Sequence, residues 1–351
     1  MGAGNMNRPS ISVAMCTCNG ARFVGEQLQS IARQTILPAE LVICDDASTD
    51  STPQLLVQFA ADSPIPVRRV RNSSKLGCTR NFERAIRLCE GEMIVLADQD
   101  DVWKPEKLAV MAEAFAANPG AGYLFSDAEI VNQNGELLGF SLWDTVGFDP
   151  SYFIPGRQVA TLLQRNRVTG AAMAFRSALR DILLPIPPAW GHDYWLALLG
   201  SIFSFGVPIP QRLFLYRRHL AQQLGCGKDT FLQKVKASMA AEADYYAKTA
   251  AMAELHQRAV ACARSAHCPL AHLQLVAEKE LHLSRRALIR SAHGTARLAR
   301  LLPEAASGRY QRFSSSWGSM IRDLISPAGL TRPVNGFGTS HAIPDPIRRR
   351  A

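Results

Sequence analysis

The chain has 351 residues, 47% of them apolar and 20% charged. This is an ordinary globular composition, long enough for one large domain and an appendage, and it excludes collagen-like, coiled-coil and wholly disordered chains. The formal charge of +9 is uneven: residues 1–225 hold 20 Lys+Arg against 21 Asp+Glu, a net of −1, and residues 226–351 hold 19 against 9, a net of +10.

The opening MGAGNMNRPS has no apolar core of a secretory signal. Met6 stands where N-myristoylation requires Ser or Thr. A short apolar run, Ile11–Cys16, then reads as a buried strand, and Val24, Leu28 and Ile31 recur at helical spacing. Leu41–Cys44 is a second strand, followed by Asp45-Asp46-Ala47-Ser48-Thr49-Asp50. Thr52–Ala61 is helical with Pro53 in its first turn, Pro66–Val70 a third strand, and Phe82, Ile86 and Cys89 mark a helix. Glu92–Ala97 is a fourth strand and runs into Asp98-Gln99-Asp100-Asp101.

Pro105 opens a further helix with Leu108, Met111 and Phe115 on one face. Asn134-Gly135 joins Tyr123–Val131 and Glu136–Leu138 as a hairpin. Arg157–Leu163 is helical, Val168–Phe175 a strand broken by Gly170, Asp193–Leu199 a helix and Gln211–Tyr216 a last strand. The long uncharged run Tyr194–Gln211 is interrupted by Gly200, Gly206, Pro208 and Pro210, so it reads as helix, turn and strand rather than a membrane span. From Thr230 the pattern is helical and Ala-rich, with breaks near Cys268-Pro269 and Pro303. Leu270, Leu273, Ala277, Leu281 and Leu288 fit one helical face, with Arg285, Arg286 and Arg290 beside it. The tail 326–351 is rich in Gly and Pro and reads as disordered. Eight cysteines occur without a CxxC pair, which suits buried reduced thiols in a cytoplasmic protein.

Continuous apolar strands alternating with helices predict an α/β domain with a mostly parallel sheet covered on both faces, whose ligands bind beyond the carboxyl ends of the strands. Both acidic clusters lie at such ends. Asp98 and Asp100, two hard carboxylates at i and i+2, suit Mg2+ or Mn2+ with positions left for phosphate oxygens. The same tripeptide alone is also an ordinary solvated acidic turn. Asp101 supports the ligands or caps the next helix. Asp45 or Asp46 can accept from a base imide or a ribose hydroxyl, while Ser48 or Asp50 can cap the Thr52 helix. Arg80, at a helix start, suits a diphosphate or is a plain surface arginine. Asp193, at the head of an apolar helix among aromatics, is placed for a general base or for a cap. In Tyr216-Arg217-Arg218-His219, the arginines can hold a leaving diphosphate and the histidine can complete a metal shell.

Seven blocks in order carry a resemblance: CTCNGARFVGEQLQSIARQT, LVICDDASTDST, NSSKLGCTRNFERAI, VLADQDDVWKPEKL, VTGAAMAFR, GHDYW and LYRRHLAQQLG. Over residues 9–225 the chain resembles the family 2 glycosyltransferases, in particular the bacterial rhamnosyltransferase-like branch that builds surface polysaccharide. The resemblance implies a GT-A fold over 1–225, with a nucleotide-binding half at about 9–103 and an acceptor-binding half at about 104–225. It implies an inverting, metal-dependent transfer from a dTDP-, UDP- or GDP-linked sugar, with rhamnose from dTDP-rhamnose as one donor, to a glycan or lipid-linked acceptor. By position, Thr17, Asn19, Asp45, Asp46, Arg80 and Asp98 would hold the nucleotide sugar, and Asp98, Asp100 and His219 the metal. Asp193 would be the catalytic base, and Gly170 and Trp195 would shape the acceptor site. His192 stands where the family commonly has Glu before the Asp, so Asp193 is the one carboxylate in its block.

The resemblance stops before the helical extension 226–325. Its basic helices suit a cap packed on the catalytic domain or a homodimer interface, or a peripheral surface on the inner face of the plasma membrane. Scattered basic residues with few interleaved aromatics argue against nucleic acid. A glycoside hydrolase would account for paired carboxylates but not for acids at two strand ends. A non-catalytic nucleotide-sugar-binding or membrane-surface scaffold is the alternative that would tolerate loss of Asp193.

Overall fold

In the computed structural model, residues 9–219, 245–314 and 317–325 are described. The expected boundary at 225/226, the break into the helical extension and the tail 326–351 lie outside these residues. One nine-stranded sheet runs through the first domain. Strands β1 (Ile11–Thr17), β2 (Glu40–Asp45), β3 (Val67–Arg71) and β4 (Met93–Ala97) are parallel in the order β3-β2-β1-β4. Every residue of β1 and β4 is buried, as continuous apolar strands in a covered sheet require. At the edge, β3 exposes arginines, which discourage pairing with another chain.

The chain leaves β1 toward β2 on one side and adds β4 on the other. The carboxyl ends of β1, β2 and β4 therefore flank a topological switch point, where open α/β sheets bind ligands. Helices α1 (Val24–Ala32), α2 (Thr52–Asp62) and α3 (Cys78–Leu88) make the crossovers, and α1 buries Val24, Leu28 and Ile31 as their spacing predicts.

The second half departs from a mostly parallel sheet. After β5 (Val102–Trp103) and α4 (Lys107–Ala117) come β6 (Tyr123–Val131) and β7 (Leu137–Ser141), the expected hairpin. Short helices α5 (Leu142–Val146) and α6 (Gln158–Gln164) precede β8 (Met173–Arg176), which is antiparallel to both β4 and β6. Gly170 lies in a 3-10 turn before β8 rather than within a strand. Next come α7 (Arg180–Leu183), α8 (His192–Phe203) and β9 (Gly206–Arg217), which is parallel to β6 and antiparallel to β5. The sheet is parallel on the nucleotide side and mixed on the acceptor side because hairpins and short excursions replace full crossover helices there.

The extension comprises α9 (Tyr245–Cys262), α10 (Leu270–Ser291), α11 (Gly294–Ala306), α12 (Arg309–Phe313) and α13 (Trp317–Ile325). It packs on the first domain: α10 and α12 meet α6, and α9 meets α8. Its anchoring hydrogen bonds include Arg258 Nε to Ile182 O at 3.1 Å, Trp190 Nε1 to Ala251 O at 3.2 Å and Gln164 Nε2 to Arg312 O at 3.0 Å. Two expectations fail here. Leu270, Leu281 and Leu288 are 69%, 43% and 49% exposed, and the buried face of α10 instead carries Val276, Leu283 and Ala287 with Lys279, His282, Arg286 and Arg290. Pro303 sits within the last turns of α11, and the chain turns at Gly308 (φ 73°) instead.

Most charges of this face are matched internally. Asp323, fully buried, accepts from Arg286 at 2.6 and 2.9 Å, from Arg290 at 3.1 Å and from the Tyr310 hydroxyl at 2.6 Å. Glu304 accepts from Arg309 Nε at 2.8 Å and lies 2.6 Å from His282 Nδ1. Long basic stems pack like apolar side chains once their heads are paired, so counting leucines picks the wrong stripe. No helix among the described residues is long and apolar enough to cross a membrane. Removing the shared partner leaves two buried guanidinium groups uncompensated. Asp323→Ala should therefore cost about 3–5 kcal/mol, read as a lowered midpoint in urea unfolding, with little change for a surface control such as Glu113→Ala.

Candidate active site

Three loops meet at the switch point. The loop after β1 is held by its own amides: Asn19 N donates to Ser48 Oγ at 2.8 Å, and Asn19 Oδ1 accepts from Thr49 N at 2.8 Å. Asn19 takes a left-handed φ of 50°, which asparagine tolerates better than most residues. Thr17 Oγ1 donates to Asp45 Oδ1 at 2.9 Å, so the ends of β1 and β2 are joined side chain to side chain.

Both aspartates of the second strand end are buried and brace loops. Asp45 also accepts from Ser48 N at 3.1 Å and Ser48 Oγ at 2.5 Å, and faces Arg71 at 3.6 Å. Asp46 accepts from Leu76 N at 2.7 Å, Gly77 N at 2.9 Å and Asn72 Nδ2 at 2.8 Å, which fixes the turn into α3. Asp50 binds Thr52 at the start of α2 and Ala21 N across the loop. Burial raises its carboxyl, but these hydrogen bonds outweigh it and leave the group below its usual range. Ser48 serves Asp45 and Asn19, so it is not the cap of α2. Arg80 is an exposed side chain on the first turn of α3, 3.3 Å from Glu83.

The third loop is the acidic turn after β4. Its middle residue, Gln99, is clamped to the β1 loop: Cys18 N donates to Gln99 Oε1 at 2.8 Å and Gln99 Nε2 to Cys18 O at 3.1 Å. Gly20 makes this possible, because a Cβ there would sit 2.1 Å from Gln99 Oε1. Asp98 accepts no hydrogen bond from any described residue. Burial raises its carboxyl, and Asp100 and Asp193 add to the rise against the opposing charge of Lys107. Asp101 is buried, accepts from Arg217 N at 3.3 Å, and keeps Oδ2 without a partner. Lys107 is fully buried, donates to Ala171 O at 2.8 Å and lies 4.1 and 4.2 Å from the Trp103 and Phe214 ring centres. Burial lowers its ammonium, and Asp101 and Asp98 oppose the fall.

Two residues of the β9 end brace this turn. His219 Nε2 lies 2.8 Å from Asp100 Oδ2, and its ring packs 4.8 Å from Phe23. Arg217 was expected to reach a diphosphate, but it is buried: Nε donates to Asp100 O at 2.9 Å and Nη2 meets Glu26 at 2.5 Å. Among the described residues no three His, Cys, Asp or Glu side chains close round an ion. The turn offers Asp98 and Asp100 as hard oxygen donors, with His219 already on Asp100. That set fits a cation such as Mg2+, which takes one or two carboxylates and completes its shell with phosphate and water.

Asp193 sits in the first turn of α8, where its Oδ1 accepts from Tyr194 N at 2.6 Å, and lies near enough for its charge to act on Asp98. The Cys78 thiol marks the shared centre. Burial first, then Asp98, Asp193, Asp46 and Asp100 push it up to about 12. His192 stacks on Phe82 at 4.1 Å and lies 3.8 Å from Cys78 Sγ. Gly170 leaves room for this imidazole, since a Cβ would sit 2.4 Å from Nε2. Trp195 was expected to shape the acceptor site, but it is 1% exposed and donates from Nε1 to Leu183 O at 2.7 Å. It belongs to the core because α8 turns its i+2 position inward when Asp193 faces the cleft. Gln99, Lys107 and Cys78 were not singled out from sequence. Gln99 and Lys107 lie inside the quoted acidic block, and a lysine within an apolar helical stripe was the available signal.

The family described as Glycosyl transferase family 2 matches residues 12–183. The chain carries a family 2 glycosyl transferase domain. A Mycobacterium tuberculosis protein of uncharacterised activity is 26% identical over 213 residues, covering 60% of this chain and 59% of its own length. The chain thus spans less than two thirds of that relative. The dTDP-rhamnosyl transferase RfbG of Shigella flexneri is 26% identical over 225 residues, 60% of this chain and 73% of that one. The crystal structure of S. aureus TarS 1–349 in complex with UDP-GlcNAc shares the fold, with a TM-score of 0.55 at 16% identity over 85% of this chain and 81% of that one. The α/β domain is accordingly GT-A, followed by helices.

Gly170→Ala drives a methyl into the buried His192 ring, and overpacking of this kind costs about 1–3 kcal/mol. In a double-mutant cycle read by thermal unfolding, the cost in a His192→Ala background should be clearly smaller than in the wild type. Additive losses would dissociate the two residues.

Proposed function

We propose that the chain transfers a sugar from a nucleotide-sugar donor to an acceptor hydroxyl with inversion, as a metal-dependent glycosyltransferase. The observation that carries this is the meeting of three strand-end loops with Asp193, whose charge and that of Asp100 both act on Asp98. Thr17, Asn19, Asp45 and Asp46 frame the nucleotide, and Arg80 stands at the α3 start for the diphosphate. Asp98 and Asp100 would hold Mg2+ or Mn2+, with His219 on Asp100. A divalent cation there would offset charge on the departing nucleoside diphosphate.

Asp193 takes the proton of the acceptor hydroxyl. The oxygen attacks the anomeric carbon from the face opposite the diphosphate; the new C–O bond forms as the old one breaks, and its electron pair leaves on the diphosphate. Likeness to the Shigella enzyme supports dTDP-rhamnose as a donor, and the resemblance of residues 9–225 to the rhamnosyltransferase-like branch supports surface polysaccharide as the setting; UDP- and GDP-linked sugars are the competing donors.

Asp193→Asn keeps the shape and removes the base. Turnover of the cognate donor should fall by about 10²–10⁴-fold, while donor affinity by calorimetry stays close to wild type; near-normal turnover would refute the assignment. In a thermal-shift panel with Mn2+, dTDP-rhamnose should stabilise the wild type and fail to do so in Asp98→Asn/Asp100→Asn. A shift with UDP- or GDP-sugars alone would refute the rhamnose donor, and no shift with any donor would refute the enzyme.

A further inference from the structure

Helix α13 is amphipathic with its polar side turned in. Ser319 and Asp323, one turn apart, are its buried residues, and Asp323 is the carboxylate that Arg286, Arg290 and Tyr310 hold. The opposite face carries Trp317, Ile321, Leu324 and Ile325, which are 65%, 52%, 40% and 71% exposed. The neighbouring α11 repeats the arrangement: it buries Arg297 and Glu304 beside Leu301 and exposes Leu298 and Leu302. The two helices pack together, and Arg297 Nη1 donates to Leu324 O at 2.8 Å. On α10, Leu281 and Leu288 also face out while His282, Arg286 and Arg290 face in.

Water alone favours the reverse arrangement, with charges out and large apolar side chains in. Single exposed apolar residues are ordinary, but a tryptophan with leucines and isoleucines turned outward on adjoining helices marks a contact surface. The charge round this face selects the partner. From Leu281 to Ile325 the chain has two carboxylates, Glu304 and Asp323, and both are buried. Arg285, Arg300 and Arg312 are exposed, Arg312 beside Glu278 of α10. A second copy docked through the same patch about a two-fold axis would set these cations against one another. An anionic lipid surface matches both features: its headgroups suit the arginines, and the boundary with its acyl chains suits the apolar side chains. Tryptophan also favours that depth. No helix among the described residues is long and apolar enough to cross a membrane, so such a face lies along the surface.

We propose that the outward face of α11 and α13, with the adjoining leucines of α10, docks this chain on an anionic lipid surface. The docking stands on packing and charge and not on the sugar transfer proposed above. Because α10 and α12 pack on α6, it would hold the second half of the first domain close to the lipid.

The test uses the full chain and vesicles of equal parts phosphatidylglycerol and phosphatidylcholine. Trp317 reports the contact, because Trp103, Trp143, Trp190 and Trp195 are buried. Lipids brominated along the acyl chain should quench its fluorescence, and the vesicles should carry the chain upward in a flotation gradient. Pure phosphatidylcholine should retain it roughly tenfold less, and added salt should weaken binding to the mixed vesicles. Ile321→Gln/Leu324→Gln changes exposed positions only, so it should fold normally, and its partitioning should fall roughly tenfold or more. Leu298→Gln/Leu302→Gln on α11 is an independent second variant with the same expected loss. No flotation with the mixed vesicles overturns the proposal, as does unchanged partitioning in both variants. Equal retention by pure phosphatidylcholine overturns the anionic partner. A dimer in sedimentation analysis that Ile321→Gln/Leu324→Gln dissolves, without vesicle binding, gives the face to a second copy and overturns the proposal too. Every readout is binding, so Asp193→Asn should float as the wild type does, and failure of the glycosyltransferase reading would leave the docking result standing.

Discussion

Three aspartates within four residues, at the end of a fully buried strand, are the constraint to which the rest of the site answers. Like charges in a poorly solvated turn repel, and burial penalises each of them further. Lys107 supplies one buried opposing charge, itself held by a carbonyl and two aromatic faces. Arg217 donates to Asp100 and Asp101 from the end of β9, and His219 takes an oxygen of Asp100. What these groups leave is Asp98, which accepts no hydrogen bond from the described residues and feels the like charge of Asp193. A charge arrangement so poor for stability alone is well suited to a cation and a diphosphate.

The parallel side of the sheet was legible because strands buried on both faces have a plain signature, and the acidic clusters mark where they end. Element bounds moved by a residue or two. The acceptor side was harder, since β5, β8 and the short helices carry little periodicity of their own and are set by pairing with distant strands. Within the site, the resemblance pointed to Asp98, Asp100, His219 and Asp193, and the folded chain brings these neighbourhoods together. Trp195, named by the resemblance, and Arg217, read from its charge, are buried instead, because residue type and position do not reveal which way a side chain turns. Gln99 and Gly170 act through contacts over 81 and 22 residues of sequence, which no local pattern records.

The extension shows a different limit. Its +10 charge suggested a solvated or membrane-facing surface, yet several of those charges are interior, cancelled by Asp323 and Glu304. Net charge counts residues; it does not say which of them meet water.

The clamp between Gln99 and the Cys18 peptide bears on how a donor would be received. It makes the β1 loop and the acidic turn one rigid unit, so the entropy of ordering them is lost when the chain folds rather than when a ligand arrives. Binding energy is then not consumed in organising the receiving surface. Cutting the clamp, as in Gln99→Ala, would leave each contact group in place while making their simultaneous presentation rarer.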